Sequence, residues 1–364
     1  MPRKPAPQLS QVTPWITAAS LQHAAALPTL LMTRLGIGRR SAGGLLRKLV
    51  DGHWLQREGT VRSPIYRPGA LRQVVQRYAL AGLQEDTPWR RDFAPFFDLT
   101  PNVRRMAAHA FTELLNNAVD HSGGQRVTVS MRQTALHLQM LVSDDGCGLF
   151  QRVAQAFDIA DPQQAMFELS KGKLSSQPEC HSGHGLFFTS RLADILDIHT
   201  AQAAFQYRPW NAKQWHSARP ATTAGTSVYL SIELDTARTL DAVLRAHSAN
   251  GRGAGFERTR VPLHLMADGG TLASRAEARR VAQRLLSFQQ ADIDFNGLDD
   301  VGHGFADELF RVFGRAHPGL ALRPLGMNAR VHAMVASVTG HGGGAQSLWS
   351  GISSGEAMAR GSGP

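Results

Sequence analysis

Cysteine is nearly missing from this chain: Cys147 and Cys180 are the only two in 364 residues, too few for a disulfide framework. No run of about 18 apolar residues occurs, which excludes a spanning helix. The opening residues lack the apolar core of a secretion signal. No internal repeat of about 20–50 residues recurs, so a solenoid is not expected. Together these absences predict a soluble, cytoplasmic protein with no membrane partner. Acidic residues are scarce in one region: residues 1–80 hold 12 Lys and Arg against 2 Asp and Glu, a net of +10. That equals the excess of the whole chain, so the remainder balances at 27 against 27. A basic block beside a neutral body is the footprint of a polyanionic partner, nucleic acid or an anionic surface. The length predicts two or three domains.

The richest stretch begins at Val103. Apolar residues at Val103, Met106, Ala107, Ala110, Phe111, Leu114, Leu115 and Ala118 fall on one helical face. Glu113, Asn117 and Asp120 share another, where groups one turn apart can act on the same bound species. Glu113 can orient or deprotonate a water or hydroxyl, and the Asn117 amide oxygen can ligate Mg²⁺. A solvated helix face has the same spacing. Two alternating runs follow, Val127–Met131 and Leu136–Val142, and read as antiparallel strands ending at Asp144. Asp144-Asp145-Gly146-Cys147-Gly148 then offers a carboxylate able to accept a hydrogen bond from an adenine amino group, beside glycines that admit a close ligand. A hairpin turn explains such glycines equally well.

The order helix, hairpin, DxGxG resembles the GHKL superfamily of ATP-binding domains, which includes gyrase, histidine kinases, MutL and the anti-sigma serine kinases. Two further segments resemble its later motifs: His181-Ser182-Gly183-His184-Gly185-Leu186 and Gly225-Thr226-Ser227-Val228-Tyr229-Leu230. The resemblance covers roughly residues 88–234 and implies a Bergerat-type α/β sandwich binding ATP and Mg²⁺. By that resemblance Asn117 is the Mg²⁺ ligand and Asp144 the adenine reader. Gly146 and Gly148 form the turn over the base, Gly183, Gly185 and Leu186 the phosphate-side loop, and Thr226 a supporting contact, with Asp120 completing the set. Glu113 occupies the general-base position, where sensor histidine kinases usually carry asparagine. Lys171 and Lys173, in the lid between Leu149 and Cys180, meet a γ-phosphate or stand in a solvated loop.

In the basic segment, Leu27–Gly38 reads as a short helix ending at glycine, and Arg39–Val50 as a second. Trp54–Glu58 and Pro64–Arg67 can pair as a hairpin. This segment resembles bacterial winged-helix DNA-binding domains, which implies that Arg39, Arg40 and Ser41 reach bases or phosphates from the second helix and that Arg62 touches DNA from the wing. A winged helix used for protein contact has the same sequence signature. Gly43 and Gly44 inside the second helix cost about 1 kcal/mol each relative to alanine.

Beyond a glycine-rich junction, strands are expected at Val261–Met266, Ala291–Phe295 and Leu320–Leu325, with helices at Ser274–Ser287, Gly304–Phe313 and Ala329–Val338. This part resembles the STAS-like domains found behind such ATPase modules, and implies a protein partner. The loop where those domains carry an acceptor serine reads Asp300-Val301-Gly302-His303-Gly304 and holds no serine or threonine. His303 is an alternative acceptor or a capping residue.

The expected protein is thus a multi-domain α/β (α+β) chain: winged helix over 1–80, ATP-binding domain over 85–235, STAS-like domain over 256–340 and a disordered tail over 341–364. The expected function is an ATP-dependent bacterial switch controlling DNA binding, with homodimerisation open. A trans-acting serine or histidine protein kinase, or a non-hydrolysing ATP-binding scaffold, are the alternatives.

Overall fold

The computed structural model describes residues 8–84, 86–174, 183–248, 251, 255–267 and 269–340. Expectations for Cys180, the His181–Ser182 pair and the tail at 341–364 fall outside the described residues.

The N-terminal part comprises α1 (Thr13–Gln22), α2 (Leu27–Leu35), α3 (Arg39–Asp51) and a hairpin of β1 (Leu55–Gly59) and β2 (Pro64–Pro68). α2 stops at Gly36, whose left-handed backbone (φ 61) closes the helix end. α3 is amphipathic: Ala42, Leu45, Leu46 and Leu49 are buried, while Arg39, Arg40 and Ser41 are exposed. These apolar residues join Ile16, Leu31, Trp54 and Tyr66 in a core of their own, separate from that of the rest of the molecule. Added Cβ atoms at Gly43 and Gly44 would meet nothing within 4 Å, so internal packing does not require either glycine.

α1 carries almost no amphipathic bias and leaves no periodic signal in the sequence, yet it seats on the next strand. That strand, β3 (Arg72–Ala79), lies inside the expected 1–80 module but pairs with the central sheet instead. The Gln73 N–H donates to Thr17 Oγ1 of α1 at 3.0 Å, so α1 shields this sheet edge.

The central sheet is wholly antiparallel, in the order β3-β4-β5-β9-β6-β7-β8. Its other strands are β4 (Arg126–Gln133), β5 (His137–Asp144), β6 (Ile195–Thr200), β7 (Ala204–Tyr207), β8 (Trp215–Ala218) and β9 (Thr226–Glu233). Val127, Val129 and Met131 alternate inward, as do Leu138, Met140 and Val142 of its partner. A single turn, α4 (Asp86–Pro88), precedes α5 (Pro101–His121), whose eight apolar positions from Val103 to Ala118 are all buried. Around it lie α6 (Leu149–Phe157), α7 (Pro162–Lys171), α8 (Gly185–Leu192) and α9 (Leu240–Ala246).

The C-terminal part is a parallel three-stranded sheet, β10 (Arg258–Pro262), β12 (Gln290–Asp294) and β14 (Ala321–Leu325), in the order β10-β12-β14. A small parallel pair, β11 (Thr271–Leu272) with β13 (Asp300–Val301), lies beside α10 (Arg275–Ala282), α11 (His303–Ala306), α12 (Gly314–Ala316) and α13 (Ala329–Thr339). Three expected elements change shape. The strand expected to Met266 ends at Pro262, which has no N–H to continue the ladder, and becomes a 3₁₀ turn that buries Leu263 and Leu265. The helix expected to Ser287 ends at Ala282, where Gln283 turns out of the helical region (ψ 129) and Arg284 follows with a left-handed backbone (φ 68). The helix from His303 widens to a π-type coil over Asp307–Phe313. The hydrophobic core runs without interruption from the central sheet into this domain, through Phe187, Phe256 and Phe288.

His247 lies in that junction, edge-on to Phe187 at 4.8 Å, with Nδ1 3.0 Å from the Arg258 carbonyl oxygen. Burial, with help from the Arg191 charge, pushes its pKa from 6.5 down to about 4. Half-buried His109, His184 and His264 shift the same way. The unfolded chain takes up these protons first, so the stabilisation is full above about 6.5 and is lost as pH falls towards about 4. Thermal unfolding midpoints should therefore drop across that interval, and His247→Gln should lessen the drop. A profile identical to wild type would remove His247 from this account.

Candidate functional site

A cavity of about 330 Å³ opens between α5, the glycine turn after β5 and the helices α6 to α8. Glu113, Asn117 and Asp120 of α5 all line it, as the helical spacing implies. Asp144 and Gly148 line it from the turn, Thr226 from β9, and Gly183, Gly185 and Leu186 from the start of α8. One expected residue does not: Gly146 lies off the cavity wall because its α-carbon packs against the Ser122 backbone, leaving no room for a Cβ. Its φ is also not among the positive ones, whereas Gly148 sits at φ 92.

Gly146 instead acts on Asp144. Its N–H donates to Asp144 Oδ1 at 2.9 Å, and the Thr226 N–H donates to the same oxygen at 3.2 Å. Both donors thus converge on the one oxygen, Oδ1. Burial raises the Asp144 pKa against the effect of both bonds. The Thr226 hydroxyl accepts from the Leu149 N–H at 2.9 Å and so pins the first turn of α6 to β9. Gly225 (φ 89) passes so close to the Asp144 carbonyl that any side chain there would collide with it. At the other end, a Cβ on Gly185 would run into the Glu113 carboxylate, which places that carboxylate at the N-terminus of α8. Among the described residues no group of three or more His, Cys, Asp or Glu is arranged to hold a metal.

Sequence reasoning missed several wall residues. Leu149, Arg152, Val153, Ala156 and Phe157 all line the cavity from α6. Their i, i+3, i+4, i+7, i+8 spacing counted from Leu149 was the available signal. His184, Leu169 and Leu174 also line it. Lys171 and Lys173 do not; both turn towards the C-terminal domain, where Lys171 is 1% exposed and paired with Glu168 at 2.7 Å. Arg39, Arg40, Ser41 and Arg62 are exposed on the separately packed N-terminal part, away from the cavity lining. His303 is exposed at the first position of α11.

An antiparallel sheet faced by α5, with a cavity between the last turn of α5 and the glycine-led helix α8, is the arrangement expected from the GHKL resemblance. The comparison with known families agrees. Residues 102–263 match the histidine kinase-, DNA gyrase B- and HSP90-like ATPases, and residues 277–325 match a STAS-like domain of unknown function. No curated protein matches the sequence. The chain thus carries a GHKL-type ATPase domain followed by a STAS-like domain, the makeup of an ATP-binding regulator. No helix among the described residues is long and apolar enough to cross a membrane.

Because burial raises Asp144, its carboxyl is most favourable to the fold when protonated. That contribution is present below the ordinary value of 3.8 and is lost as pH rises through the raised value. Asp144→Asn keeps the Oδ1 acceptor and removes the charge. It should unfold at a higher temperature than wild type near pH 7, with the difference closing in acid. An Asn variant less stable at neutral pH would contradict this assignment.

Proposed function

We propose that this protein is a nucleotide-operated DNA-binding regulator, in which Mg·ATP in the central cavity alters how the basic N-terminal part engages DNA. The donor set suits the ligand. Mg²⁺ keeps several waters and draws its remaining ligands from phosphates and one or two hard oxygens. Asn117 with neighbouring Glu113 and Asp120 offers such oxygens, and no larger protein cage is required. Asp144 would accept from the adenine amino group through Oδ2. The N-terminus of α8 at Gly185 would meet phosphates with its free N–H groups and the positive end of its dipole. The bound metal ion would neutralise phosphate charge, while Glu113 would orient a water or hydroxyl.

The N-terminal part supports a winged-helix reading through its element order and its exposed arginines at α3 and at the hairpin tip. Arg39, Arg40 and Ser41 would lie along a DNA groove, with Arg62 on the backbone. The observation that carries the coupling is the seam between the two parts. α1 covers β3, β3 pairs with β4, β4 with β5, and β5 ends in Asp144. Arg132 of β4 also stacks over Trp54 at 5.4 Å, in the N-terminal core. A nucleotide that binds the two arrangements of this seam unequally would shift DNA affinity by the same factor. A second reading, phosphotransfer to another protein, is favoured by one feature: a glutamate and not an asparagine faces the α8 N-terminus.

Anisotropy titrations of a duplex selected from a random pool, with and without Mg·ATP, test both. Wild type should change affinity roughly five- to tenfold with nucleotide, and Asn117→Ala should not respond. Arg39→Ala with Arg40→Ala should lower the salt slope by about 2. Phosphate release in the same mixtures should vanish in Glu113→Ala while the DNA response persists. Affinity indifferent to nucleotide would rule out the coupling, and label transferred to a second protein would favour the kinase.

A further inference from the structure

The nucleotide cavity is built by one domain, but its outer wall is fastened to another. α6, α7 and the residues after them contribute Phe157, Leu169 and Leu174 to that wall. The last turn of α7 is buried against the C-terminal domain and hydrogen-bonded to it. Lys171 Nζ, paired with Glu168, donates to the Val281 carbonyl at 3.2 Å and the Gln283 carbonyl at 3.1 Å, at the C-terminal end of α10. Those carbonyls carry the negative end of the helix dipole, which suits an ammonium. The Lys171 carbonyl in turn accepts from Thr259 Oγ1 of β10 at 2.6 Å. Gly172 (φ 79) lies against the Phe256 ring with no space for a Cβ.

Arg284 completes this fastening. Its Nη2 donates to the Lys173 carbonyl at 3.1 Å, and its guanidinium carbon sits 5.2 Å from the centre of the Phe157 ring. It therefore holds both ends of the wall at once, α6 through Phe157 and the segment after α7 through Lys173. Lys173 reciprocates by donating to the Ser287 carbonyl at 2.6 Å, with its ammonium 4.4 Å from the Phe288 ring centre. Arg284 does this from a left-handed backbone (φ 68), a conformation that a long side chain rarely adopts.

The structure assigns Arg284 of the STAS-like domain as a positioning residue for the nucleotide site, holding the α6–α7 wall in the shape that receives the ligand. The assignment rests on the nucleotide reading of the cavity. It means the STAS-like domain is part of the ATP-binding apparatus in the same chain, and a partner that engages its α10 end would alter nucleotide affinity.

Arg284→Asn tests this in the full chain, because asparagine tolerates the left-handed backbone while lacking the guanidinium. Calorimetry with the non-hydrolysable analogue AMP-PNP and Mg²⁺ should show affinity weakened roughly five- to tenfold, the scale of a modest coupling between sites. Hydrogen exchange over residues 162–174 should quicken, while the thermal midpoint stays at the wild-type value. Lys173→Asn, also at a positive φ (57), should act in the same direction and serves if the first variant folds poorly. Wild-type affinity in both variants would overturn the assignment. Failure of the wild type itself to bind would instead remove the nucleotide reading on which it stands.

Discussion

The hydrogen-bonded carboxylate of Asp144 is the joint on which the central domain depends. It terminates β5, and through one oxygen it gathers the Gly146 and Thr226 N–H groups, so the glycine turn and β9 are fixed relative to each other. Thr226 then passes the constraint to the first turn of α6 through the Leu149 N–H. A buried carboxyl is costly unless bonded in this way. The raised pKa of Asp144 records the part of that cost which two backbone donors do not offset. On the proposed nucleotide reading, a donor from an adenine amino group would offset more of it.

The same logic of incompleteness applies between domains. A buried ammonium is tolerated only with its charge paired and its protons placed, and Lys171 meets that demand by reaching from the ATPase domain to carbonyls of the STAS-like domain. With a shared core through Phe187, Phe256 and Phe288, the two domains behave as one packed body. The N-terminal part differs: its core is closed on itself and meets the sheet through α1, Trp54 and a few polar contacts. The C-terminal part thus shares its core with the cavity-bearing domain, while the N-terminal part keeps a core of its own.

Much of this was legible in the sequence. The α5 face, the β4–β5 alternation and the glycine turn obey simple periods, so the helix, the hairpin and eight of the nine cavity positions read from them or from the GHKL resemblance could be placed, together with Glu113. Gly146 escaped because a glycine admits close approach without saying to what, and here the neighbour is Ser122. α1 escaped because its apolar residues show no helical bias, being shared between its own core and the sheet edge. For Lys171 and Lys173 the alternatives were a γ-phosphate contact or a solvated loop, and the contacts with the C-terminal domain match neither, because sequence shows their charge but not their direction. Arg284 could not be found at all, since its role depends on a helix break and on a contact more than a hundred residues away.

The most direct measurement is the heat of association of AMP-PNP with the full chain in excess Mg²⁺, for wild type and Asp144→Asn. Saturable binding by wild type, lost or strongly weakened in the folded Asn variant, is the predicted result. No binding by wild type, or equal binding by both, would contradict a purine site built on Asp144.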